Sequence, residues 1–180
     1  MKKTNTLHVI LELVTIFSYI FIGITVLTFV SYPDVDIHNK SFIGSIILAI
    51  GTSELVQFLS LNYLRKLRNI PNSVAAVATM ILGFLVMALP IGLKTVCVVW
   101  GICWICFQII KIANASYNVM KQPFLNIFII ILSVVGIVYS IILIANNTTA
   151  LINHFTFIGV YLLIEAFILI VEFIIHRYQK

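Results

Sequence analysis

Six apolar runs, each close to the length of a bilayer-crossing helix, take up most of this chain: His8–Val30, Ser41–Tyr63, Ser73–Leu89, Lys94–Ile112, Phe124–Ala145 and Ile152–His176. A hydrocarbon core of about 30 Å is crossed by about 20 helical residues. Strands of a membrane barrel would alternate apolar and polar residues. These runs do not, so the spans are helical. A soluble domain is excluded by composition: hydrophobic residues make up 62% and charged residues 9%, which leaves too little polar surface to cover a globule. Met1-Lys2-Lys3 ahead of an apolar run has the look of a signal peptide, but the run is too long for one and no small-residue cleavage site follows, so it reads as a retained first helix. The expected fold class is all-α: a polytopic membrane helical bundle of six transmembrane helices in a single transmembrane domain, 1–180.

The runs also repeat. Gly44, Gly101 and Gly159 sit at corresponding points of three of them, at two intervals that differ by a single position. Pro33 and Pro90 each stand at the turn that opens a segment, and Asn146-Asn147-Thr148-Thr149 takes that place at the third turn. A fixed period of this kind marks a repeated supersecondary unit, here a helical hairpin written approximately over 8–63, 73–112 and 124–176. Small residues let helix backbones approach in lipid. Gly44, Gly83, Gly101, Gly136 and Gly159 are therefore expected at helix contacts. Spacings of four at Ala75, Thr79 and Gly83, at Gly136 and Ser140, at Cys97 and Gly101, and at Ala49 and Ser53 extend the same pattern. Such faces serve intramolecular packing or a homo-oligomer equally well.

With six spans both termini share a side. Lys2, Lys3, Arg65, Lys66, Arg68, Lys111, Lys121, Arg177 and Lys180 then fall on that side, and Lys40 and Lys94 on the other. Basic residues mark the cytoplasmic side, so a multi-pass protein of the cell (inner, cytoplasmic) membrane with both termini in the cytoplasm is expected. These cations punctuate the ends of apolar runs and form no basic patch interleaved with aromatics. The net charge of +5 therefore implies the lipid bilayer as partner, and no nucleic acid.

Glu54 and Glu165 are the most informative polar residues. Each lies roughly ten residues from a helix end, near the midplane at about 1.5 Å per residue. An acidic residue there costs about 2.5–3.5 kcal/mol, so it is expected to face the bundle interior or water. The repeat period maps Glu165 to within one helical turn of Glu54. Ser53 and Gln57 are close enough in sequence to help satisfy Glu54. Two readings stay open for Ser53, Glu54, Gln57 and Glu165: a site for a proton or small cation, and protonated carboxyls that hydrogen-bond across helices to hold the bundle together. The apolar runs offer these acids no Lys or Arg partner, because Lys111, which the repeat aligns with Glu54, reads together with Glu12 and Glu172 as a residue of the cytoplasmic boundary.

The remaining motifs carry less. Cys103-Trp104-Ile105-Cys106 has the CxxC spacing of thiol redox centres, but it lies deep in an apolar segment where thiols are unreactive, and Cys97 adds no disulfide framework. His8 and His176 flank one surface; His38 and His154 read as solvated residues of the other, beside Asp34 and Asp36. No metal-ligand spacing and no cofactor motif is present. Trp100 and Trp104 read as packing. Without a phosphate loop, nucleotide fingerprint or nucleophile–base pair, the chain is expected not to be an enzyme.

The residues Gly23, Pro33, Gly44 and Gly51 in the first hairpin, Gly83, Pro90 and Gly101 in the second, and Gly136 and Gly159 in the third make the whole chain resemble the HdeD-like family of small six-span bacterial membrane proteins. That resemblance implies a three-hairpin fold and a non-enzymatic role in tolerance of acid or envelope stress; it implies no catalytic residue. The chain departs from the family pattern in lacking the third proline and in carrying two deep glutamates. Those glutamates support an alternative, a small transporter or proton-coupled channel working through midplane carboxylates, since internal repeats with intramembrane acids recur among transporters.

Overall fold

Chain segments this apolar must satisfy their backbone groups internally, and they do so as six helices: α1 (Lys2–Ser31), α2 (Lys40–Asn62), α3 (Ile70–Ala88), α4 (Leu93–Asn118), α5 (Pro123–Asn146) and α6 (Leu151–Tyr178). The computed structural model describes residues 2–31, 39–62, 70–118, 123–146 and 151–178, and among these there is no strand. Val9–Ser31, Leu93–Ser116, Pro123–Asn146 and Leu151–Val171 are long and apolar enough to cross a membrane, and Ser73–Ala88 is a shorter apolar helix. Large apolar side chains cover the outside, Phe21 and Phe124 among the most exposed. An outer surface of that kind matches lipid and not water.

Local chemistry sets the helix ends. The Asn39 side chain accepts from the Ser41 amide at 2.9 Å, capping the start of α2. Pro90 cannot continue α3, because its ring removes the amide donor and clashes with the preceding turn. The chain turns within Leu89–Gly92, and α4 opens with the Val96 amide donating to the Gly92 carbonyl at 3.1 Å.

Closest packing falls at three interfaces, α2 with α3, α4 with α5, and α1 with α6. Glycines account for all three. A Cβ added to Gly83 would stand 2.5 Å from the Leu48 amide nitrogen and 2.8 Å from the Gly44 carbonyl oxygen. One added to Gly101 would lie 2.6 Å from Ile144, and one added to Gly159 2.7 Å from Leu27. Gly23 faces the Gly159 backbone, and Gly136 lies against the Gln108 amide. The repeat glycines Gly44, Gly101 and Gly159 thus mark successive crossings of an even-numbered helix with an odd-numbered one, the last closing α6 back onto α1. Each of the three crossing pairs is antiparallel, as Gly44 beside Met87 and Gly51 beside Met80 show for α2 and α3.

Inside this arrangement lies a core of Tyr19, Ile22 and Val26 from α1, Ile43, Ile47 and Ile50 from α2, Trp100 and Trp104 from α4, and Phe155, Ile158 and Leu162 from α6. Among the described residues, α5 contributes Leu143 and α3 contributes Leu82 and Val86 to its buried side chains. The centre of the molecule is therefore lined mainly by α1, α2, α4 and α6, and Glu54, Gln108, His154 and Glu165 are buried on these helices.

Candidate functional site: a buried charge cluster

On α4, Trp100, Trp104, Gln108 and Lys111 follow one another at steps of four, four and three, so they share one helix face. On α6, His154, Tyr161 and Glu165 follow at steps of seven and four and likewise share a face. The two faces meet in the core. Lys111 Nζ stands 3.0 Å from Glu165 Oε1. It donates a hydrogen bond of 2.9 Å to the Tyr161 hydroxyl, which in turn donates to Gln108 Oε1 at 3.2 Å. The ammonium also lies 4.7 Å from the Phe107 ring centroid and 5.0 Å from that of Tyr161, within cation–π range. These contacts hold a cation in a place where an unpaired one would be very costly.

Glu54 enters the same cluster from α2 and is 6% exposed, as is Glu165. Glu54 and the buried Tyr19 of α1 lie within electrostatic reach of Lys111 and Glu165. Four helices thus converge on a group that holds two carboxylates and one ammonium. Gln108 is fully buried, and its Nε2 finds no hydrogen-bond partner among the described residues; a Cβ on Gly136 would come within 3.1 Å of its amide.

Two readings of the sequence are corrected here. Lys111 is not a boundary residue, and the acids are not without a basic partner: α4 runs on to Asn118, which leaves Lys111 about two turns inside the helix and paired with Glu165. His154 is not a solvated loop residue. It sits in the first turn of α6 and is buried, its imidazole edge-on to Trp100 with ring centroids 5.2 Å apart and near Trp104 at 6.5 Å.

Of the residues singled out beside Glu54, Ser53 is buried but bonds the Ala49 carbonyl of its own helix at 3.0 Å, and the Gln57 side chain lies outside the described residues. Pro33, Asp34, Asp36 and His38 fall outside them too, as do the side chains of His8, Glu172 and His176. Cys97 is buried, Cys103 half-buried and Cys106 exposed, all as free thiols. No group of His, Cys, Asp and Glu suited to a metal ion occurs among the described residues. Tyr161, Gln108 and Tyr19 were not singled out from sequence. The three- and four-residue steps from Trp100 to Lys111 are the signal that finds Gln108.

Comparison with known proteins does not place the chain. No family model matches it, and no similar curated protein or solved structure is found. The reading of function rests on the cluster itself.

Proposed function

We propose that this chain is a non-enzymatic, six-span protein of a cytoplasmic membrane, built as three hairpins with both termini in the cytoplasm, whose buried cluster takes up and releases a proton in small-scale transport or channel activity. One observation carries this reading: the Lys111–Glu165 ion pair is buried in the core, with a second buried carboxylate, Glu54, within its electrostatic reach. With all three ionised the cluster holds an uncompensated negative charge, which low-dielectric surroundings penalise strongly. Binding one proton removes that charge, so occupancy by a proton and the electrostatics of the core are coupled. Intramembrane acids facing a bundle interior serve as such relays.

The test is proton flux into proteoliposomes loaded with a pH-sensitive dye, under imposed pH and electrical gradients. Wild-type flux that Glu54→Gln abolishes supports the reading, and no flux under any gradient overturns it. A reporter fused at Lys180 that is active only outside the cell would overturn the topology.

A second reading follows from the resemblance to the HdeD-like family, and the three glycine crossings favour it: a structural role in tolerance of acid stress. A strain deleted for the protein and showing normal survival and cytoplasmic pH during acid shock would remove it.

A further inference from the structure

Six buried side-chain atoms lack a hydrogen-bond partner among the described residues: Trp100 Nε1, Trp104 Nε1, both ring nitrogens of His154, Gln108 Nε2 and Ser133 Oγ. Five of the six belong to Trp100, Trp104, Gln108 and His154, whose side chains line the seam between α4 and α6. That seam is continuous. His154 abuts Trp100 and Trp104, Trp104 abuts Tyr161 at 5.6 Å between ring centroids, and Tyr161 hydrogen-bonds both Gln108 and Lys111, which holds Glu165. From His154 to Glu165 the distance is about 16 Å by helical rise. The Tyr139 carbonyl of α5 stands opposite the His154 ring without completing a hydrogen bond.

Buried polar atoms left unpaired cost about 1–3 kcal/mol each. Five on one seam are hard to reconcile with a dry core, whereas a chain of bound waters, each making two to four hydrogen bonds, satisfies them. We propose that the α4–α6 seam holds a file of water joining His154 to the Lys111–Glu165 pair, and that His154 passes protons between the membrane face where α6 begins and the charge cluster. This inference rests on the proton-linked reading above and deepens it by naming the route. The step balances simply. A proton carried along the file from the face where α6 begins binds one ring nitrogen of His154, the other nitrogen releases its proton to the file beyond, and a carboxylate of the cluster receives it. No other reactant is needed. Trp100 and Trp104 face His154 from α4, and the Tyr139 carbonyl faces it from α5.

Two measurements on the intact protein test this. The chain contains only two tryptophans, both on the seam, so water-edited solid-state NMR of the indole N–H signals in lipid reads seam hydration directly. Strong transfer from water to both indoles is expected, and dry indoles overturn the proposal whatever the flux. In proteoliposomes oriented through a C-terminal tag, His154→Phe is expected to slow proton exchange with the face where α6 begins by about a hundredfold, the scale of a lost acid–base group. Exchange with the opposite face should be unchanged. Trp104→Phe, which keeps an aromatic ring and removes the N–H, should slow the same direction less. Equal exchange in wild type and His154→Phe overturns the route while leaving the function standing, provided that Glu54→Gln still abolishes flux. Absence of wild-type flux overturns both.

Discussion

At Lys111 the energetics of the cluster come down to one ammonium. Removing one member of a buried ion pair costs about 3–5 kcal/mol because the other charge is stranded, whereas replacing both by apolar groups is often near neutral. Lys111→Met should therefore destabilise the protein by about 3–5 kcal/mol in a detergent-unfolding titration. Lys111→Met combined with Glu165→Met should recover most of that loss. If the double variant is as unstable as the single, Glu165 is not the carboxylate that Lys111 serves. The acids of this cluster were legible in the sequence because a carboxylate so far from either helix end has no inexpensive place to go. Lys111 was not. Its apolar run ends at Ile112, where a long basic side chain ordinarily snorkels to the surface, and only the continuation of α4 through Asn114 and Ser116 places it inside. His154 was missed for a similar reason: a polar residue a few positions after an Asn-Thr turn reads as solvated until the spacing of His154, Tyr161 and Glu165 is followed along α6.

Helices in lipid gain little from burying apolar surface against one another, so their contacts depend on how closely backbones approach. The α2–α3 crossing shows this most sharply, since a Cβ on Gly83 would strike backbone atoms of both Leu48 and Gly44. Backbone cannot move aside as a side-chain end can. Gly83→Ala should cost about 1–3 kcal/mol, the usual penalty of overpacking. Gly92→Ala serves as its control, because nothing lies within 4 Å of the added methyl group and the stability should stay within about 0.5 kcal/mol of wild type. Equal effects at the two sites in the same unfolding assay would contradict close packing at this crossing. Gly44, Gly101 and Gly159 were visible from the period, Gly83 and Gly136 from the spacing of small residues, and the apolar runs placed all six helices. What the period did not show was which helices they join, since a repeat read along the chain points to neighbours within each hairpin, while the tight crossings connect one hairpin to the next and α6 to α1.

Across the whole molecule the repeat is kept in the glycines and broken in the charges. Lys111 stands as far beyond Glu54 as Gly101 stands beyond Gly44. Leu169, packed against the core, stands as far beyond Lys111 as Gly159 beyond Gly101. Positions at the glycine spacing thus carry an acid, a base and an aliphatic residue. Glu165, on the third repeat, supplies the carboxylate that fixes the ammonium. If Glu54 and Lys111 are equivalent in this sense, exchanging them should be tolerated better than changing either one. Glu54→Lys alone leaves two ammonium groups against one carboxylate, and Lys111→Glu alone gathers three carboxylates. The double exchange restores the original charge count at the same two positions. A double-mutant cycle measured by unfolding should show a favourable coupling of at least about 1 kcal/mol, in the range found for residues of one buried network. Strictly additive losses would mean that the two positions do not share one electrostatic centre, and the pseudo-symmetry would then belong to the backbone alone.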